Sequence, residues 1–276
     1  MDQPYLIAEI GLNHNGDLNI AKKLIDATNA CGWHCAKFQK RNPIICVPEH
    51  QKEIERDTPW GRMTYIKYKY KLEFEKKEYD IINEYCLNKP LPWTASVWDL
   101  DSLNFIADYN VPFIKIPSAH ITNDELIIEA AKSKIPLIIS TGMSDWKIVD
   151  KAVELIGRHT SVFAILHCNS TYPAPHNELN LNIIPVMKEK YGCEVGYSGH
   201  EFDLEPSVLA AAMGAKIIER HITLDHNMWG TDQGSSLEVH AMDLLRKRLK
   251  DVKQILGTEE KVITESEIPV LKKLRG

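Results

Sequence analysis

Eight short apolar runs recur along the chain, and most of them are separated by stretches long enough for a helix. Buried strands of a parallel sheet have this continuous apolar character because helices cover both faces of the sheet. The alternation of strand and helix therefore predicts a parallel sheet with helices packed outside it. The runs occupy residues 7–11, 36–39, 92–96, 113–118, 137–140, 164–169, 195–200 and 217–221.

Eight such units predict a TIM (β/α)8 barrel, an α/β fold in which the carboxyl ends of the strands meet at one mouth. Nearly every run ends in polar side chains, so the barrel would gather these groups at the face where such barrels have their active sites. We expect a single barrel domain over residues 1–276. The interval 42–90, after the second strand, is too long for a plain connection. We predict that it forms an active-site flap; the alternative is a solvated surface excursion.

The bulk composition narrows the class of protein. A formal net charge of -5 over 276 residues argues against general nucleic-acid binding, which needs a basic face. The six cysteines form no Cys-x-x-Cys pair, which favours reduced thiols in a cytosolic compartment. No apolar stretch approaches the roughly 18 residues of a membrane span, and no signal peptide is visible. We therefore expect a cytoplasmic protein that binds neither membrane nor nucleic acid.

Two histidines end neighbouring predicted strands, His200 on one and His221 on the next. Two neutral imidazoles at an open mouth can hold a divalent first-row metal and leave positions for water and substrate. Glu9 and Asp232 are candidate helpers. The alternative is that each histidine only forms a hydrogen bond with a neighbour at its strand end.

Two lysines, Lys37 and Lys115, lie inside otherwise apolar strands, where an unpaired ammonium group would be costly to bury. Together with hydroxyl groups at later strand ends they suit a clamp for a phosphate and a carboxylate. The alternative is internal salt bridging to Glu9 and Glu219. The hydroxyl groups belong to Ser118, Ser140, Ser170 and Ser198.

Further polar side chains suit a polyhydroxylated ligand, and these are Gln39, Thr94, Asn169, Tyr172 and Asp232. Glu9 and Glu219 could act as general bases or as partners of lysine or histidine, and the sequence does not choose between these roles.

The segments that carry these residues resemble the N-acetylneuraminate (sialic acid) synthase family. They are IAEIGLNHNG at 7–16, KFQ at 37–39, KIPS at 115–118, STGM at 140–143, HCNSTYP at 167–173, GYSGH at 196–200 and ERHITLD at 219–225. The resemblance runs in order from about residue 7 to 265. It implies a transferase that condenses phosphoenolpyruvate (PEP) with an open-chain aldose, N-acetylmannosamine or a related N-acyl hexosamine. The product would be a sialic acid-like nonulosonate, with phosphate released.

The resemblance also implies roles for individual residues. His200 and His221 would hold a divalent cation, Mn²⁺ with Co²⁺ or Mg²⁺ as alternatives, that polarises the aldehyde oxygen. Glu9 and Glu219 would lie near the reacting carbons. The positions that match PEP contacts are Lys37, Thr94, Lys115, Ser118, Ser140, Ser170 and Ser198, and those that match sugar contacts are Gln39, Tyr172 and Asp232.

Two departures from the family pattern fall on the sugar side. Family members usually carry a glutamate after the KIPS segment, where this chain reads Ser118-Ala119-His120; His120 is either a replacement sugar contact or a rim residue. Many members also have a C-terminal antifreeze-like domain, and we expect a single-domain form without it. The resemblance favours a homodimer.

Two other functions are kept open. The first is the same chemistry on a different or phosphorylated aldose, for which Arg41 and Arg62 are the basic candidates. The second is a sugar- or PEP-binding barrel without catalysis.

Overall fold

Eight parallel strands follow one another around a closed barrel in the computed structural model, which describes residues 3–276. The order is β1-β2-β5-β6-β7-β8-β9-β10, and β10 pairs with β1 to close the ring. This confirms the predicted TIM barrel. The eleven strands within the described residues are β1 Tyr5–Gly11, β2 Cys35–Lys40, β3 Glu55–Thr58, β4 Gly61–Thr64, β5 Trp93–Val97, β6 Ile114–Ile116, β7 Leu137–Ser140, β8 Phe163–Cys168, β9 Glu194–Gly199, β10 Ile217–Thr223 and β11 Leu237–Glu238.

Helices connect the strands and several begin at an aspartate that caps the first turn. Asp17 Oδ1 accepts a hydrogen bond from the Asn19 amide, and Asp145 Oδ1 accepts one from Ile148. From residue 3 onward the chain forms twelve α-helices, which are α1 Leu18–Ala30, α2 Pro43–Cys46, α3 Glu49–Lys52, α4 Tyr65–Leu72, α5 Lys76–Leu87, α6 Leu100–Ala107, α7 Asp124–Lys132, α8 Trp146–Gly157, α9 Ile183–Tyr191, α10 Glu205–Ala212, α11 Val239–Leu256 and α12 Ile268–Arg275. None of the helices within residues 3–276 has the length and apolar character needed to cross a membrane.

The long interval between β2 and β5 contains the short helices α2 and α3, the antiparallel hairpin β3–β4, α4 and α5. The end of α4 packs against the loop that follows β1. A Cβ atom at Gly16 would lie 2.2 Å from the Lys71 carbonyl oxygen, so only glycine allows this approach. The interval therefore lies at the carboxyl-terminal face of the barrel, and its role as a flap stays a prediction.

The barrel interior changes from apolar to polar along the strands. A buried apolar cluster, which includes Ile7, Cys35, Phe113 and Ile138, fills its amino-terminal part. Side chains two residues apart on a strand point to the same face. The next inward positions toward the mouth are Glu9, Lys37, Lys115 and Ser140. The apolar layer thus supports a polar layer one step above it.

Candidate active site

The carboxyl-terminal mouth of the barrel contains a cavity of about 210 Å³. Most of the predicted site residues line it, although they come from seven separate strands and the loops that follow them. The predicted residues in the lining are Glu9, Lys37, Gln39, Lys115, Ser118, Ser140, Ser170, Tyr172, Ser198, His200, Glu219 and His221.

Two buried lysines and two buried glutamates form a series of linked ion pairs across the cavity floor. Lys37 Nζ lies 2.5 Å from Glu9 Oε2 and 3.6 Å from Glu219 Oε1. Lys115 Nζ lies 3.7 Å from the same Glu219 oxygen. The internal salt bridges considered from the sequence are therefore present. Both lysines nevertheless border the cavity, so pairing with glutamate and contact with an anion are compatible.

Burial and the neighbouring lysines separate the acidities of the two glutamates. Burial raises the pKa of Glu9, and the opposing effect of Lys37 is smaller. Burial also disfavours ionised Glu219, but Lys115 and Lys37 together outweigh it and lower the pKa of Glu219 to about 2. A pair of carboxyl groups with divergent acidities is typical of acid–base chemistry. Glu219 is the carboxylate that stays charged.

The lysines are also held by hydroxyl groups on the next strand. Lys37 Nζ donates to Ser96 Oγ at 2.8 Å, and Lys115 Nζ donates to Ser140 Oγ at 2.7 Å. Burial and the charge of Lys37 lower the pKa of Lys115, although Glu219 opposes them. Each ammonium group is thus oriented by an oxygen on one side and faces the cavity on the other.

A backbone turn at Gly142 lies against Ser118 and Ser170, two of the serines that line the cavity. Its amide donates to Ser118 Oγ at 3.0 Å. A Cβ atom at Gly142 would lie 2.1 Å from Ser170 Oγ and 2.8 Å from Ser118 Oγ. The two serines therefore converge on a space that only a glycine leaves open.

The two histidines meet at the centre of the mouth. The centres of their rings are 5.5 Å apart, and the Tyr172 hydroxyl group lies 2.7 Å from His200 Nε2 and 3.4 Å from His221 Nε2. His200 Nδ1 lies 2.6 Å from the Asn169 carbonyl oxygen, which orients the ring and leaves Nε2 toward the cavity. Burial lowers the pKa of His221 to about 3, so this ring is a neutral donor.

This donor set fits a divalent first-row cation with open positions, because two Nε2 atoms converge on one polar point. Within residues 3–276, no group of three or more His, Cys, Asp or Glu side chains is arranged to hold a metal. The protein would therefore supply two imidazoles and leave the other positions to substrate and water.

Four predicted site residues do not line the cavity. Thr94 lies deeper in the barrel than Ser96, and its hydroxyl group donates to the Phe113 carbonyl oxygen at 2.6 Å. The Asn169 side chain accepts from the Thr171 amide, while its carbonyl orients His200. Asp232 Oδ2 lies 3.9 Å from His221 Nδ1. His120 lies at the rim and packs edge-on against Trp98, with ring centres 5.2 Å apart.

Several lining residues are absent from the set predicted from the sequence. Ser96 is the most informative, because the two-residue period of β5 could have placed it one step nearer the mouth than Thr94. Trp98 lines the wall between His120 and Arg41, whose guanidinium carbon lies 4.2 Å from the centre of the indole ring. Cys168 also lines the cavity, with its Sγ 3.7 Å from His200 Nδ1.

Known proteins resemble this chain in sequence and in fold. A family model described as the NeuB family matches residues 24–261. The N-acetylneuraminate-9-phosphate synthase of Drosophila melanogaster is 37% identical over 257 residues, which are 92% of this chain and 69% of the relative. The N,N'-diacetyllegionaminic acid synthase of Legionella pneumophila is 31% identical over 96% of this chain and 77% of its own.

A solved structure extends the likeness to the backbone. The N-acetylneuraminic acid (sialic acid) synthetase of Leptospira borgpetersenii, crystallised with citrate, superposes with a TM-score of 0.87 at 32% identity, over 99% of this chain and 93% of that one. The family match, the relatives and the structural likeness together show that the chain belongs to the NeuB family and is a condensing enzyme of the synthase type.

Proposed function

We propose that this enzyme joins PEP to an open-chain aldose, N-acetylmannosamine or a related N-acyl hexosamine, and releases phosphate. C3 of PEP attacks the aldehyde carbon, water adds at C2, and the C–O bond to phosphate breaks, so the product is a sialic acid-like nonulosonate. The observation that carries the proposal is the meeting, in one cavity, of two buried lysines with the facing imidazoles of His200 and His221.

The part of the cavity lined by Lys37 and Lys115 suits PEP, which carries a phosphate and a carboxylate. Lys37 and Lys115 are each 2% exposed, so their charges act in a poorly screened environment. Ser118, Ser140 and Ser170 add short hydroxyl donors at the same wall. A phosphate and a carboxylate held by charge-assisted hydrogen bonds would be oriented as well as bound.

We assign proton exchange to Glu9 and lasting negative charge to Glu219. An incoming PEP anion competes with both carboxylates for the lysines. Because burial already raises the pKa of Glu9, this residue can accept a proton when Lys37 turns to the substrate. Glu219 stays ionised between the two lysines and holds them in place.

His200 and His221 would hold a divalent cation, for which we propose Mn²⁺, with Co²⁺ or Mg²⁺ as alternatives. Such a cation supplies Lewis acidity toward the aldehyde oxygen when bound. The Tyr172 hydroxyl group, which contacts both Nε2 atoms, is then free to face the sugar. Gln39 borders the same side of the cavity, and its amide donates to Glu9 Oε1 at 2.9 Å.

A phosphorylated acceptor is the second candidate, and the position of Arg41 favours it. This side chain reaches Gln39 and packs on Trp98, both of which line the cavity. Its charge is balanced by Glu73, whose Oε1 lies 3.0 Å from Arg41 Nε. Arg62 is exposed in the β3–β4 hairpin and pairs with Glu55. Three relatives, including those of human and mouse, are named N-acetylneuraminate-9-phosphate synthases.

The test is phosphate release by the purified protein after treatment with a chelator and addition of Mn²⁺ and PEP. Four kinds of acceptor are tested in parallel: N-acetylmannosamine, its 6-phosphate, other N-acyl hexosamines and plain hexoses. The products are identified by mass spectrometry. Mn²⁺-dependent phosphate release with one N-acyl hexosamine supports the proposal, and release only with the phosphorylated sugar supports the second candidate. PEP binding without phosphate release across the panel would instead indicate a non-catalytic barrel.

A further inference from the structure

A buried ion pair between Glu201 and Arg220 lies directly behind the two facing histidines. We propose that this pair positions His200 against His221, and the inference rests on the metal role proposed above. Neither Glu201 nor Arg220 lines the cavity, and neither touches the substrates in that proposal. They would act through the histidines, as positioning residues.

The chain order makes the coupling direct. Glu201 follows His200 on the turn after β9, and Arg220 precedes His221 within β10. Alternate residues of a strand face opposite sides of the sheet. His221 therefore faces the cavity while Arg220 faces α10 on the outside. The ion pair joins the immediate neighbours of the two histidines across the sheet from the site.

The guanidinium group of Arg220 contacts several residues of the turn that joins β9 to α10. Its Nη1 lies 2.9 Å from Glu201 Oε1 and donates to the Asp203 carbonyl oxygen and to Ser207 Oγ, each at 3.0 Å. Its Nη2 donates to the Glu201 carbonyl oxygen. Arg220 therefore holds the turn after β9, and the start of α10, to the strand that bears His221.

The carboxylate of Glu201 is held from two further sides. Its Oε2 accepts a hydrogen bond from the Tyr197 hydroxyl group at 2.7 Å. A Cβ atom at Gly199 would lie 2.7 Å from Glu201 Oε1, so the backbone just before His200 passes directly over this carboxylate. The position of Glu201 thus constrains the backbone on both sides of His200.

The burial of this pair argues for a geometric role. Both side chains are 0% exposed. Replacing such a pair by apolar side chains of similar volume is often neutral or stabilising, so a buried pair is weak evidence for a role in stability. A charged network that binds one turn to one strand is, however, well suited to fixing their register. Here that register sets the distance between two groups that must face one metal.

The proposal predicts a selective loss of metal affinity. Mutation of groups that orient metal ligands typically weakens metal binding 10- to 100-fold. We expect Arg220→Lys and Glu201→Gln to weaken Mn²⁺ binding by at least 10-fold, because each breaks the network while keeping a similar volume. PEP affinity measured without metal should change less than 3-fold, since Lys37 and Lys115 lie on other strands.

The measurement is calorimetric titration of chelator-treated full-length protein with Mn²⁺, alongside the absorption spectrum of the Co²⁺ form. Distorted geometry at the histidines would shift the Co²⁺ spectrum, whereas a general loss of stability would not. Thermal unfolding and circular dichroism without metal report folding. The matched control is Arg248→Met, which removes an exposed ion pair to Glu205 at the start of α10 and should leave Mn²⁺ affinity unchanged.

If the two buried variants fail to fold, Tyr197→Phe carries the test. It removes one hydrogen bond to Glu201 and is expected to weaken Mn²⁺ binding several-fold. Folded variants that bind Mn²⁺ as tightly as wild type overturn the positioning role alone. If wild type binds no Mn²⁺, or His200→Ala binds it as wild type does, the metal role itself fails and the positioning role with it.

Discussion

Glu9 Oε2 and Lys37 Nζ are 2.5 Å apart, and the two residues occupy paired positions on the neighbouring strands β1 and β2. Both side chains are 2% exposed. The ion pair therefore belongs to the rigid barrel and does not depend on a mobile loop. A charge held this way is available to a substrate anion without a search through rotamers.

Replacing Lys37 by methionine is expected to lower kcat/KM for PEP by about 100-fold or more. The change removes a buried charge from the anion-binding wall and leaves Glu9 without its partner, and losses of this kind cost about 2–5 kcal/mol. Steady-state kinetics with varied PEP provides the check.

The control for this substitution is Lys40→Met on the same strand. Lys40 Nζ donates to the Phe74 carbonyl oxygen at 2.8 Å and does not line the cavity. We expect this variant to lose stability while KM for PEP stays unchanged. Equal kinetic losses in both variants would contradict the assignment of Lys37 to the donor site.

Ser96→Ala and Thr94→Val should separate two hydroxyl groups on one face of β5. Ser96 Oγ accepts from Lys37, so its loss should raise KM for PEP by about 10-fold, the size expected for a hydrogen bond to a charged group. Thr94 bonds the Phe113 carbonyl oxygen, so Thr94→Val should lower the free energy of unfolding by about 1 kcal/mol without a change in KM. A raised KM for PEP in Thr94→Val, with an unchanged KM in Ser96→Ala, would instead identify Thr94 as the substrate contact.

Gly142→Ala should weaken PEP binding by disturbing two serines at once. The added Cβ would lie 2.1 Å from Ser170 Oγ, and the Ser118 hydroxyl group is also within its reach. We expect PEP affinity to fall roughly 10-fold, the effect of losing about 1.4 kcal/mol. The control is Gly157→Ala at the end of α8, where an added Cβ meets nothing within 4 Å. Titration calorimetry compares the two variants, and equal PEP affinities would show that the Gly142 turn is no part of the site.

His14 is expected to make the protein less stable as the pH falls below neutrality. Burial, with a smaller contribution from Arg41, lowers the pKa of His14 to about 3. The unfolded chain takes up a proton near pH 6.5 that the folded protein does not bind, so stability is lost as the pH falls from about 6.5 toward 3. Between pH 7 and pH 5 this one group costs about 2 kcal/mol.

The measurement is urea unfolding of wild type and His14→Asn at both pH values. An asparagine oxygen can still accept the Gly16 amide hydrogen that His14 Nδ1 accepts at 3.0 Å. The stability difference between the two pH values should be about 2 kcal/mol smaller in the variant. An unchanged difference would mean that His14 is not held neutral in the folded protein.

Strand β5 carries two hydroxyl side chains on the face toward the barrel interior, and the sequence pattern alone does not identify the one that lines the cavity. The sequence predicts Thr94 as a substrate contact, yet the β5 hydroxyl group that lines the cavity belongs to Ser96. The strand period places both on one face, but the depth at which a strand enters the mouth depends on its stagger against its neighbours. Ser96 pairs with Lys115 and Thr94 with Lys37, a register that no local pattern encodes.

The sequence by itself determined the barrel and the chemical character of its mouth. Continuous apolar runs must be buried on both faces, and runs that end in lysine, serine and histidine bring those groups to one side. Only the tertiary structure decided which groups face the cavity and which serve their neighbours. Asn169 orients His200 through its backbone, His120 packs edge-on against Trp98, and Arg220 holds the turn of Glu201. These roles depend on distances between segments far apart in the chain, and closure of the barrel sets those distances.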